Sequence, residues 1–389
     1  MQTSIWDTGY WKNLPTLAGE VSADACVIGL GGSGLAAVEE LASLGMSVVG
    51  IDAGSVGGGA AGRNGGFLLA GMADFFDQSV ARLGRSTAQS LYRCTLEEIA
   101  RLSLEFPTLV KNTGSLRIAA NDAEKNDCRQ HLAALKECNF EGEAYSGPEG
   151  EGVLIPGDAA YQPRLCVQAQ ASHLCSLGIS LFENSRVTGI AQGRVTTPSG
   201  SVRCGTVIAA VDGGLERIFP ELRPRVRTAR LQMLATGPAP EVSFPRPIYW
   251  RDGYEYWQQL RGGEIALGGF RDAGGEAEWT SEGGCSEIVQ EKLEQFLRGN
   301  LRVTAPITHR WSASVAYTAD RLPILEEVRH RVLAVGGYSG TGNIVGRLCG
   351  RAAARMACGV PSGWADLLTT ARTRSALSGS KVPLSTTVS

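Results

Sequence analysis

Residues 25–34 read ACVIGLGGSG, and residues 47–52 read SVVGID. Ala25 to Ile28 is a short apolar run of the kind that forms a buried parallel strand. The turn Gly29-Leu30-Gly31-Gly32-Ser33-Gly34 follows at once, a G-x-G-x-x-G match. Leu35, Val38, Leu41 and Leu44 then fall along one helical stripe, and Gly45 suits the helix C-terminus. A second strand ends at Asp52, 18 residues past Gly34. In such a unit Gly29 makes the tight turn, Gly31 admits a pyrophosphate, and Gly34 lets helix and strand pack closely. The helix N-terminus, with Ser33 in its first turn, offers unpaired N–H groups and a positive dipole end to phosphates. Asp52, followed by Ala53, is placed to accept ribose hydroxyls. The spacing predicts a dinucleotide site, and the acid favours a free 2′-hydroxyl, hence FAD or NAD over NADP.

The chain around this unit has 389 residues, enough for two domains or one large body with an inserted piece. Charged residues make up 20% and the net charge is −2, so nothing points to nucleic acid. Ten cysteines without a C-x-x-C pair and four histidines argue against a zinc site or a redox dithiol, so no metal is expected. The apolar run from Ala25 to Ala53 contains Glu39 and Glu40 and several glycines, which rules it out as a membrane span. The first residues carry no apolar leader-like run, and a cytoplasmic protein with reduced thiols is expected.

Glycine is the outlier, at 50 residues. Residues 54–66 read GSVGGGAAGRNGG and follow the acid directly, so the segment spans no domain boundary. Its glycines suit a backbone pressed against a flat buried ligand. With this loop, the sequence resembles the D-amino acid oxidase-like flavoproteins, which include glycine oxidase, sarcosine oxidase and gamma-glutamylputrescine oxidase. Three motifs carry the likeness in order: Gly62-Arg63-Asn64-Gly65-Gly66 leading into Phe67, Thr318-Ala-Asp320-Arg321-Leu-Pro323, and Gly336-Gly337-Tyr338-Ser339-Gly340-Thr341-Gly342-Asn343 after the strand-like Val332 to Val335. The nearest flavour is the gamma-glutamylputrescine oxidase type. The resemblance implies non-covalent FAD, held by the first turn, the R-N-G-G loop, and Gly337, Gly340, Thr341, Gly342 and Asn343. It also implies that the backbone of Val187 grips adenine, although a plain sheet valine is an equal reading.

The implied architecture is α/β. A Rossmann-like FAD domain of the glutathione reductase type (1–85, 151–220, 306–368) is joined to a substrate domain (86–150, 221–305) built on a mixed, largely antiparallel sheet. Strand-like runs at Arg230 to Ala235, Gly253 to Leu260 and Glu264 to Gly269 belong to that sheet, with Arg261-Gly262-Gly263 as a hairpin turn. A helix covers it from about Glu287 to Leu297. Other helices are expected from Ala123 to Glu137, from Pro163 to Leu177 and from Asn343. The polar stretch 369–389 reads as a flexible tail.

No catalytic triad or carboxylate pair stands out. The resemblance explains this, because flavin carries the redox chemistry and the protein supplies orientation and electrostatics. It implies oxidation of a CH–NH bond of an amine or amino-acid derivative. The hydride passes to flavin N5, the imine hydrolyses, and oxygen or another acceptor reoxidises the flavin. A helix N-terminus near Asn343 would stabilise charge at N1 and the C2 carbonyl.

Three positions depart from relatives. Val315 stands where others carry a flavin-linking cysteine or a carboxylate-holding arginine. Ile344 and Ala266 replace lysines, the latter one that promotes oxygen reactivity. The oxidase-or-dehydrogenase question therefore stays open. For the substrate pocket, Tyr254 and Tyr256 on one strand face, with Tyr338 and Thr341 beside the flavin, are the candidates; a cage of aromatics would attract an amine cation. Arg251 reads as a surface residue, with a hold on an acidic substrate group as the alternative, His173 as a structural helix residue, and Arg347, Arg351 and Arg355 as a solvated helix face. Alternatives are a flavin-dependent 2-hydroxy acid dehydrogenase, an FAD-binding subunit of a larger complex, and an NAD enzyme.

Overall fold

The computed structural model describes residues 3–377. Its first strand, β1 (Gly19–Ile28), runs into α1 (Gly32–Ser43) and then β2 (Val48–Ile51). The apolar ends of both strands are buried because helices cover both faces of the sheet they join. β1 pairs in parallel with β2 on one side and with Gly200–Ala210 on the other. Ser180–Phe182 extends the parallel run beyond β2, and Val332–Gly336 extends it beyond Gly200–Ala210. Three antiparallel strands, Gly189–Ala191, Arg194–Thr196 and Ile324–Arg329, complete this sheet.

A second sheet of eight strands runs in the order Ile307–Thr318, Val226–Pro238, Glu264–Gly268, Glu255–Gln259, Ile248–Trp250, Ser115–Ile118, Gly150–Ile155, Glu143–Gly147. Only the pairing of Ile248–Trp250 with Ser115–Ile118 is parallel. Helix Glu287–Gly299 covers one face through Val289, Leu293, Phe296 and Leu297. The fold is thus the Rossmann-like sheet plus mixed, largely antiparallel sheet that the sequence implied.

The boundaries move. Gly150–Ile155 and Ile307–Thr318 pair in the second sheet, although the divisions at 151 and 306 assign them to the first. Helix Arg85–Glu105 begins at the division expected at 85/86 but is tied to the first sheet's helices, through Arg101–Glu39 and the ion pair of Glu98 with Arg351. The tail also starts later than expected. Residues 369–377 belong to helix Gly363–Leu377, whose Leu368 and Ala371 are buried in the first core, and residues 378–389 lie outside the described residues. The helix expected at Asn343 starts two residues on, at Val345–Ala357.

This closing helix crosses α1 at backbone contact. A Cβ on Gly350 would lie 2.0 Å from the Ser33 carbonyl oxygen. Its arginines are not a solvated face. Arg347 is buried and donates to Gln170, Arg351 pairs with buried Glu98, and Arg355 pairs with Glu40. A carboxamide and two carboxylates on neighbouring helices, invisible in the helix's own sequence, explain the difference. His173 is exposed on its helix, whereas His131 is buried and accepts the Phe76 N–H at 2.9 Å.

Candidate active site

The glycine turn has the tight geometry its residue types require. Gly29 has φ +93°, and a Cβ there would meet the Ala210 carbonyl oxygen at 2.5 Å. A Cβ on Gly34 would lie 1.7 Å from the Gly29 oxygen, so only glycine permits this helix–strand approach. Asp52, at the end of β2, accepts the N–H groups of Leu30 at 2.7 Å and Gly54 at 2.8 Å, and burial raises its pKa. Ala53 is exposed beside it. Val187 lies between strands, partly buried against the core below the sheet, in the segment whose Ser185 N–H donates to the Asp52 carbonyl.

From Asp52 the glycine-rich loop folds back over the turn, bringing the Ala61 methyl within 3.1 Å of where a Gly31 Cβ would stand. Buried Glu183 pins the loop: its carboxylate accepts from the Val56 N–H, the Leu14 N–H and the Trp11 indole. The sequence reading missed this role, although Glu183 ends the strand that pairs next to β2. The Asn64 amide donates to the carbonyls of Ala60 and Ala61 and accepts the Gly66 N–H. It also exchanges hydrogen bonds with the Asn343 amide at 2.9 and 3.1 Å. Asn343 in turn donates to the Phe67 carbonyl at 2.8 Å. Trp311 donates to the Arg63 carbonyl, Trp6 to that of Asn64, and Gln258 to those of Gly65 and Gly66. Arg63 itself is buried and donates to the Ser312 carbonyl.

The closing glycine element meets this loop from the other end of the chain. Asp212 accepts the N–H groups of Gly337, Tyr338 and Ala316, and its burial pushes its pKa up to about 6. Gly337 and Gly340 both have positive φ, at +68° and +94°. A Cβ on Gly342 would meet the Tyr338 ring at 3.0 Å. The Thr341 hydroxyl folds back onto the Tyr338 carbonyl.

Loop, closing element and second sheet enclose a cavity of about 790 Å³. Thr341, Asn343 and Ile344, in the turn that leads into the closing helix, form part of its wall, with Arg63, Asn64, Gly65 and Phe67. The sheet supplies another wall, where Arg117, Tyr249, Tyr256 and Gly268 are cross-strand neighbours in one row. The Phe67 ring meets Tyr249 edge-on at 5.2 Å and Tyr256 at 6.0 Å. Tyr254 also lines the cavity, from a turn rather than the expected strand. Burial raises the Tyr249 and Tyr256 phenols far above their usual range, so both stay protonated.

Tyr338 is the clear correction among the pocket candidates. It is buried in the first core and its hydroxyl donates to the Ser33 Oγ at 2.7 Å, joining the closing element to α1 rather than facing the cavity. Arg251 is likewise no free surface group, since it is clamped between Glu255 and Asp272. Val315 and Ile344 give the cavity apolar wall. Ala266 is buried with Trp6, Met233 and Trp311. No metal-binding cluster occurs among the described residues, and none of their helices is long and apolar enough to cross a membrane.

A dinucleotide fits these residues. An added Cβ at Gly29, Gly31 or Gly34 would crowd the glycine cradle, α1 opens on the loop, and the cavity continues from the loop to the second sheet. Comparison with known proteins agrees. Residues 24–356 match the family described as DAO, FAD dependent oxidoreductase. The probable oxidoreductase OrdL of Rhizobium meliloti (strain 1021) is 27% identical over 374 residues, covering 89% of this chain and 85% of that protein. Gamma-glutamylputrescine oxidoreductase of Escherichia coli (strain K12) is 26% identical over 376 residues, covering 88% and 85%. In fold, glycine oxidase from Geobacillus kaustophilus superposes with a TM-score of 0.70 at 18% identity, over 88% of this chain and 96% of that one. L-proline dehydrogenase from P.horikoshii gives 0.71 at 20% identity, over 92% and 99%. The chain therefore belongs to the DAO family of FAD-dependent oxidoreductases.

Proposed function

We propose that the protein oxidises the carbon–nitrogen bond of an amine or amino-acid derivative in this cavity. The observation that carries the reading is the pairing of its walls. The R-N-G-G loop and the closing-helix N-terminus stand on one side, and a row of neutral tyrosines on the other. Bound flavin supplies the two-electron acceptor that takes hydride from the carbon beside nitrogen. Gly31, Ser33 and Gly34 would take the pyrophosphate with backbone N–H groups, while Gly29 makes the turn and gives its N–H to the Ile51 carbonyl, and Asp52 would take the ribose. The segment Gly340 to Asn343, which leads into the closing helix, would hold the flavin edge where negative charge develops, and the helix dipole would favour that charge. Tyr249, Tyr254 and Tyr256 shape the substrate side and exclude water. No histidine lines the cavity, and hydride transfer from an amine needs no strong base beside it. The imine product is hydrolysed by water, and oxygen or another acceptor restores the flavin.

The relatives' names support nitrogen substrates, since gamma-glutamylputrescine oxidoreductase and glycine oxidase share sequence or fold with this chain. The test is anaerobic bleaching of the flavin in purified holoprotein across amines, amino acids, N-methylated derivatives and 2-hydroxy acids. Bleaching by nitrogen compounds is expected. Bleaching by hydroxy acids alone would sink the proposal. Reoxidation in air against a dye acceptor separates oxidase from dehydrogenase.

A further inference from the structure

The turn after strand Glu264–Gly268 carries an unusual charge arrangement. Three carboxylates, Asp272, Glu276 and Glu278, lie within residues 270–279. Each is already taken by an arginine from elsewhere: Asp272 by Arg251, Glu276 by Arg227 and Glu278 by Arg230. The segment's own arginine, Arg271, is left over. Among the described residues it has no carboxylate within ion-pair range. Aromatic rings hold it instead: its guanidinium carbon lies 4.6 Å from the Trp279 centroid, 5.4 Å from Tyr317 and 5.9 Å from Tyr254. Arg227 lies over the same Trp279 ring at 4.5 Å. Arg271, Trp279, Tyr317 and Tyr254 all line the cavity.

A half-buried guanidinium fixed by aromatic rings and by a hydrogen bond to the Tyr317 hydroxyl keeps its remaining in-plane N–H groups available, and the fork geometry matches a carboxylate. The rings that might have formed a cage for an amine are thus occupied by a cation that belongs to the protein. Arg117 is a second arginine of the lining; it lies over the Phe75 ring at 5.3 Å, and the carboxylates of Glu124 and Asp252 belong to the same lining.

We propose that Arg271 is the specificity-determining residue of the cavity and anchors a carboxylate on the substrate. The substrate is then an amine that carries a carboxylate, held from the 270–279 segment rather than from Val315 or Ile344. This deepens the amine-oxidation reading and rests on it, so binding is tested apart from turnover. Acetate, propanoate, butanoate and pentanoate are titrated into holoprotein, with the flavin absorption spectrum as readout. Each neutral amide serves as a control. Saturable perturbation is expected, weakened about ten-fold or more in Arg271→Met with FAD retained, and intermediate in Arg271→Lys, which keeps charge without the fork. In turnover, KM for an ω-amino acid should rise in Arg271→Met toward that of the matching alkylamine. Equal carboxylate affinity in Arg271→Met, loss confined to Arg117→Met, or no perturbation by any carboxylate in the wild type overturns the proposal. Arg271-dependent carboxylate binding without bleaching by any amine would instead fault the reaction assigned above and leave the anion anchor standing. If Arg271→Met does not fold, Arg271→Lys and Arg271→Gln carry the same comparison.

Discussion

Asn64 and Asn343 show why a residue's type can be legible while its duty is not. Both stand in motifs that point to a flavin site, yet each amide bonds to the other amide and to backbone groups of the R-N-G-G loop. Their work is to hold two glycine segments in one shape. Replacing Asn64 by Ala leaves the Gly66 N–H and the Asn343 amide short of partners, which costs about 1–3 kcal/mol. The expected result is FAD affinity lowered roughly five- to hundred-fold, read by fluorescence on rebinding. Tyr338 makes the opposite case, since its bond to Ser33 lies inside the core. Tyr338→Phe should lower stability by about 1 kcal/mol and leave the rate of flavin reduction unchanged at saturating substrate. Asp212 makes pH visible. Burial raises its pKa from the ordinary 3.8 to about 6, so the protonated form is favoured on folding. Its contribution is full below about pH 4 and is lost as pH rises through about 6, a span worth about 3 kcal/mol. Urea unfolding of Asp212→Asn should lack that slope; curves parallel to wild type between pH 4 and 7 would contradict it. Glu183 was not legible, because its partners come from distant segments; Arg271 was not, because Tyr317 and Tyr254 come from elsewhere in the chain and the carboxylates beside it are taken by other arginines.

Elements with strong periodicity were readable, while their allegiance to one sheet or the other was not. The hairpin at Arg261-Gly262-Gly263 and the helix Pro163–Ser176 fall where composition puts them, because turn chemistry and an N-terminal proline act locally. Ile307–Thr318 reads as a strand but says nothing of its partner. Its pairing with Val226–Pro238 is decided by a register of twelve residues against thirteen, a property of both strands together. The closing helix hides another such property. Gly346 and Gly350 are one turn apart and let α1 approach, so Gly350→Ala forces a Cβ to within 2.0 Å of the Ser33 oxygen. Overpacking of this kind costs about 1–3 kcal/mol. Thermal unfolding of the apoprotein should show the loss, and FAD affinity should fall with it, because the helix separation sets the positions of Ser33 and Asn343.

At the scale of the molecule, the cavity belongs to no single sheet. The first sheet brings the dinucleotide turn, the second brings the tyrosine row, and the loop at residues 54–66 bridges them through Trp311, Gln258 and Asn343. The two-sheet architecture could be anticipated from three motifs in order, since they sit at the strand ends that the fold brings together. The enclosed space could not, since its lining comes from segments far apart in the chain. FAD bound between the sheets should stabilise both together, raising Tm in a cofactor-dependent way as a single transition. Separate transitions of which only one responds to FAD would show the sheets to be energetically independent.

The amide pair spans 279 positions of chain. A nascent polypeptide synthesised only as far as Gly336 already contains the pyrophosphate turn, the ribose acid and the whole R-N-G-G loop, but Asn64 has no mate and the closing helix does not exist. Capture of the cofactor is therefore deferred until residues 337–357 have been made. A ribosome stalled before Asn343 should carry a chain that binds FAD poorly however long it waits, and a chain released past Ala357 should load it at once.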